Sequence, residues 1–123
     1  MSDTQCRKQK LLNGLAGFTG SETWYRHWTR RLIHTEGVQY LAKQAGAYWL
    51  VDLVASWCQH PAILGQDFVV WHLRVNDDRS AEACATDGND GELVRQSLSF
   101  TDFPLAQIEL YLTDNTLLLP SEY

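Results

Sequence analysis

The 123-residue chain has only three cysteines, Cys6, Cys58 and Cys84, widely spaced and odd in number. That pattern excludes a disulfide framework and points to reduced thiols in a cytoplasmic protein. No basic cluster leads into an apolar run near the start, where Leu11-Leu12 is too short, so no secretory signal is expected. No run reaches the roughly 20 apolar residues of a membrane crossing. The best candidate, Ala47 to Cys58, is shorter and contains Asp52. Catalytic signatures are missing as well. There is no G-x-S-x-G, no H-E-x-x-H and no cysteine pair at metal-ligand spacing. Gly14, Gly17 and Gly20 imitate a phosphate loop, but no Gly-Lys-Ser/Thr follows and no strand precedes, so they read as a helix stop and turn. The residues therefore assign no catalytic group, metal or cofactor.

What is present is a packed globule, with five tryptophans and 45% hydrophobic content, long enough for one domain. Charge is uneven along it. Residues 1–46 hold seven Lys or Arg against three Asp or Glu, and residues 47–123 hold three against twelve. The plain reading of this polarity is solvated surface; a polarised chain can also self-associate or face two partners.

One stretch organises the rest, the central helical segment 35–59. Thr35 suits an N-cap and Glu36 the first turn. Val38, Leu41, Ala42 and Ala45 recur at helical spacing, and Gly46 marks a break or kink. From Ala47 onward nearly every residue is apolar. Tyr48, Asp52, Ser56 and Gln59 form one narrow polar stripe, which predicts a helix surrounded by protein on most sides. Burial would raise the Asp52 pKa unless it is paired, with an arginine or Tyr48 as the expected partner.

Before this segment, an N-terminal helix is expected over 1–17, with Leu11, Leu12 and Leu15 inward. Residues 22–34 interleave Trp24, Tyr25 and Trp28 with Arg26, His27, Arg30, Arg31 and His34. Two short strands are expected there, near Trp24–His27 and Arg31–His34. After His60-Pro61 comes a connector, then antiparallel strands over 67–119. Val69, Trp71, Leu73 and Val75 share one face of the first, and Phe68, Val70, His72 and Arg74 the other. Ser80–Thr86 follows with three alanines. Asp87 to Glu92 is a hairpin loop whose register fails the calcium pattern. Leu93–Phe100 alternates again, and Asp102 is expected to cap its turn. Gln107–Leu112 and Leu117–Leu119 close the sheet.

Several runs carry a resemblance: Thr35-Glu36-Gly37-Val38, Ala47-Tyr48-Trp49-Leu50, Asp87-Gly88-Asn89, Thr101-Asp102-Phe103-Pro104-Leu105 and Leu119-Pro120-Ser121-Glu122-Tyr123. In this order, over Phe18 to Tyr123, they resemble a family of small bacterial proteins built on a domain of unknown function, associated with plasmids and other mobile elements. The resemblance implies a bacterial cytoplasmic setting and accessory-gene status. It brings no activity, cofactor or catalytic residue.

The expected fold is α+β, a single domain over 1–123. One or two helices pack on one face of an antiparallel meander of about four to six strands. The expected function is a small non-enzymatic interaction or binding domain, a homo-oligomer that takes a protein partner or small ligand on an aromatic, arginine-bearing surface. Trp24, Arg26, Trp28, Arg30 and Arg31 are its candidates. The alternative is a small-molecule binder or enzyme with a pocket between helix and sheet, lined by Trp49, Trp71, His72 and Asp52 or Asp102. Two further readings are nucleic-acid binding through residues 24–34, against which the acidity weighs, and mimicry of nucleic acid by the acidic half. His27, His34, His60, His72 and Glu122 complete the inventory of candidate acids and bases, and His72 and His34 could meet in space.

Overall fold

The computed structural model describes residues 3–18, 24–27, 31–89 and 91–123. Its fold is α+β, with four helices and one seven-stranded mixed sheet among the described residues.

α1 (Asp3–Ala16) packs beside α2. Leu11 is buried and Leu15 packs on the core, but Leu12 is 45% exposed and does not face inward. Gly14 lies inside this helix rather than stopping it. A Cβ there would run into the Tyr40 ring, so glycine is what allows the close approach. Gly20 falls outside the described residues.

The central segment divides into α2 (Glu36–Ala45) and α3 (Tyr48–Trp57). Thr35 Oγ1 accepts from the Val38 N–H at 3.3 Å, as its N-cap role requires. Gly46 closes α2 in the left-handed region at φ 62°, with its N–H returned to the Ala42 carbonyl. α3 buries Leu50, Val51, Leu53, Val54 and Ala55 and keeps Tyr48, Asp52 and Ser56 exposed. The expected connector after His60 contains a short helix, α4 (Pro61–Leu64), because Pro61 fits the first helical turn and His60 Nδ1 caps it from outside at 3.1 Å.

The strands are β1 (Trp24–Arg26), β2 (Ile33–Thr35), β3 (Phe68–Val75), β4 (Ala81–Thr86), β5 (Glu92–Leu98), β6 (Gln107–Thr113) and β7 (Thr116–Leu118). Their order in space is β1-β2-β7-β6-β3-β4-β5. Six neighbours pair, and one pair, β2 with β7, is parallel. The expected antiparallel meander of four to six strands is thus exceeded. β2 and β7 are separated by three helices and four strands, so no hairpin imposes antiparallel pairing on them. Asp114 and Asn115, at φ 50° and 58°, form the two-residue turn between β6 and β7.

Val69, Trp71, Leu73, Leu110, Leu112 and Leu117 share a face and bury a common core with the helices. Phe68, His72, Arg74, Glu109 and Tyr111 share the other. β5 ends at Leu98, and Phe100, expected in the strand, is 69% exposed beyond it. The turn after it is capped by Thr101, whose Oγ1 accepts from the Phe103 N–H at 3.2 Å, rather than by Asp102. Arg79 supports the same turn by donating to the Thr101 and Phe103 carbonyls at 3.1 and 2.7 Å.

Candidate functional site

β1 is an edge strand, paired with β2 alone among the described residues. Its three residues, Trp24, Tyr25 and Arg26, are all exposed, Trp24 by 53%. Strand alternation divides them. Tyr25 sits opposite His34, and Trp24 and Arg26 sit opposite Thr35 and Ile33 on the other face.

Tyr25 is held by what lies under it. Its ring stacks on His34 with centroids 5.4 Å apart and planes 15° from parallel. His34 is 5% exposed. Its Nε2 meets Gln39 Oε1 at 2.7 Å, and Gln39 Nε2 donates to the Tyr48 hydroxyl at 2.7 Å. The amide oxygen can only accept, so Nε2 of His34 carries a proton. His34 Nδ1 is buried with no hydrogen-bond partner among the described residues. Burial pushes the His34 pKa below its ordinary value, and nearby His27 pushes the same way, against the Gln39 hydrogen bond.

Beside this chain lies a second pair. His27, itself buried, meets Asp52 Oδ1 through Nε2 at 2.6 Å. The Asp52 side chain is 54% exposed, so the expected burial is corrected. The polar stripe of α3 turns Asp52 toward solvent beside the β1 end of the sheet, and its partner there is a histidine. Tyr48 and Asp52 stand one helical turn apart on α3; Asp52 meets His27 directly, and Tyr48 is linked to His34 only through Gln39. The arrangement orders an edge strand against two helices. It brings together no nucleophile with a base among the described residues.

The other expected residues are dispersed. Trp71 is core, with its indole N–H buried and without a partner among the described residues. His72 is on the opposite face of the sheet, its Nδ1 3.2 Å from Glu109 Oε1, so it does not meet His34. Trp49 packs edge-on against Phe103 with centroids 6.4 Å apart. Trp49 and Asp102 do meet, in a surface hollow of about 280 Å³ with Leu98, Phe100 and Thr101. Arg31 is exposed. Trp28 and Arg30 lie outside the described residues.

Sequence reading missed Gln39, which links His34 to Tyr48, and the charged array on the outer sheet face. There Arg95 pairs with both Glu82 and Glu92, and Cys84 Sγ donates to Glu92 Oε1 at 3.2 Å. With His72, Arg74 and Glu109, most of these groups line a hollow of about 260 Å³. Alternation within β4 and β5 was the available signal, since Glu82, Cys84 and Arg95 all fall on the polar face.

No curated protein and no solved structure matches the chain significantly. The profile of a family of unknown function, DUF6876, matches residues 9–123. The match takes in both histidine pairs, all seven strands and most of α1. The chain belongs to the DUF6876 family.

Proposed function

We propose that this protein is a small binding domain that associates through its β1 edge, with a second copy of itself as the first partner. One observation carries this reading. The edge strand exposes Trp24, Tyr25 and Arg26 together, with its outer backbone side unpaired by any strand among the described residues. Natural sheets protect such edges with charge, proline or cover, and of the first two the residues of β1 carry only the charge of Arg26. Aromatic and arginine side chains are also the composition of binding hot spots. The stack of Tyr25 on the buried His34 holds one aromatic in place before any partner arrives, which lowers the entropy lost on association.

The alternative of a site between helices and sheet is less well supported. Leu41, Leu50, Val54, Trp71, Leu73 and Leu110 fill that interface. The setting we propose is the bacterial cytoplasm, with an accessory role on a mobile element. The free thiols of Cys58 and Cys84 support a reducing compartment.

Sedimentation velocity across a concentration series tests the reading. The wild type is expected to self-associate, and Trp24→Ala with Arg26→Glu to remain monomeric at the same concentrations. A wild type that stays monomeric at the highest concentration, and that is not retained on a column of the immobilised protein, sinks the proposal.

A further inference from the structure

The seven strands are unequal in length. β6 has seven residues and β7 only three. β7 pairs with Tyr111, Leu112 and Thr113, while among the described residues Gln107 to Leu110 are paired with β3 alone. The chain leaves the sheet at Pro120, which has no N–H to give a ladder and opens a 3₁₀ turn. The unpaired half of β6 therefore borders a notch of about 620 Å³. Leu12, Leu15 and Ala16 of α1 line it together with Leu119 and Pro120, with Glu109 among its polar lining.

The register defines what fits. Ile108 stands opposite Leu73, on the core-facing side of the sheet, and Gln107 and Glu109 stand opposite Arg74 and His72, on the outer side. A chain laid along β6 would send alternate side chains to these two sides. One set would meet Leu12, Leu15, Ile108 and Leu119. The other would come beside the Glu109 carboxylate, which is exposed although its Oε1 lies 3.2 Å from His72 Nδ1.

We propose that this notch binds an extended peptide segment that adds to β6 as a strand, with apolar side chains alternating with basic ones. Backbone hydrogen bonds to residues 107–110 supply the register, the apolar wall takes the first set of side chains, and Glu109 selects positive charge in the second. The site is separate from the β1 edge, and the two are tested independently.

The probe is a blocked pentapeptide alternating lysine with leucine, titrated into the ¹⁵N-labelled full chain. Shifts are expected at the amides of residues 107–110 and of Leu12 and Leu15. Two N-methylated versions of the peptide distinguish strand addition from adhesion, because successive amides of an extended chain point to opposite sides. Methylating one alternate set is expected to abolish binding and methylating the other to leave it. Leu12 is exposed, so Leu12→Gln keeps the fold; combined with Glu109→Gln it is expected to weaken binding by about tenfold or more. Absence of shifts at residues 107–110 with millimolar peptide overturns the proposal. Equal binding of both methylated versions does so too, as does a notch that takes decanoate and refuses the peptide.

Discussion

The Glu122 carboxylate accepts a hydrogen bond from the Thr35 hydroxyl at 2.6 Å, across 87 positions of sequence. The same carboxylate accepts from the Gly37 N–H at 3.2 Å and the Leu119 N–H at 3.0 Å. Thr35 in turn caps Val38, so the start of α2 is satisfied by its own N-cap residue and by Glu122 from the turn that follows β7. A negative charge there also suits the helix dipole. Gly37 is buried, and a side chain on it would collide with Glu122 and Leu119. Glu122→Ala is expected to lower stability by about 1–3 kcal/mol in urea unfolding, because it strands buried donors. Combined with Thr35→Ala, the loss should be smaller than the sum of the two single losses, since both act on one helix end.

Acid should weaken the fold through His34. Burial lowers its pKa in the folded state below the ordinary 6.5, while in the unfolded chain it titrates normally. The unfolded state therefore binds more protons as pH falls below about 6.5, and stability declines with it until the depressed folded value is passed. Above that window the contribution is fully present. His34→Gln keeps a side chain that can hydrogen-bond Gln39 and removes the titration. Its thermal midpoint should be flatter than that of the wild type between pH 7 and 5; an unchanged slope would exclude His34 as the cause.

The two thiols accounted for in the fold should both react slowly. Burial pushes the Cys58 thiol up, against the opposing charge of Arg31. Burial also raises Cys84, and the hydrogen bond and charge of Glu92 raise it further. Thiolate is the reactive form, so little is present at neutral pH. In a Cys6→Ser background, Ellman's reagent at pH 7.5 should modify Cys84 slowly and Cys58 only after addition of urea. Glu92→Gln removes the neighbouring carboxylate and leaves Arg95 beside Cys84, which should speed its reaction several-fold. Equal rates with and without Glu92 would contradict this account.

The legible parts of the sequence were those written in short-range periodicity. β3 alternates over eight residues, and Thr35, Gly46 and the Asp87-Gly88 turn are local chemistry, so their places could be read directly. β1, β2 and β7, three residues each, lie close to where aromatic, β-branched and apolar content put them, but the parallel pairing of β2 with β7 depends on a distant connection that no local pattern encodes. Within the candidate site, Asp52 stood out as a carboxylate in an apolar helix, and its pairing was anticipated. The partner was not, because His27 lies 25 positions away and alternation of a short strand gives its face without its reach. Gln39 was invisible for a related reason. It is an ordinary surface glutamine of a helix until His34 is placed beneath the β1 edge.

Gly14 sets two effects against each other. Alanine is favoured over glycine within a helix by about 1 kcal/mol, so Gly14→Ala would stabilise an isolated α1. In the fold, the new methyl group would overlap the Tyr40 ring, and that ring is braced by Phe18 at a centroid distance of 5.3 Å. Overpacking of this kind costs about 1–3 kcal/mol, which exceeds the propensity gain over most of its range. Gly14→Ala is therefore expected to destabilise the protein and to loosen α1 from α2, seen as faster amide exchange in residues 8–16. Tyr40→Ser opens the space the methyl group needs. In that background Gly14→Ala should become neutral or stabilising, and a loss as large as in the wild type would show that the close approach of Tyr40 is not what requires glycine.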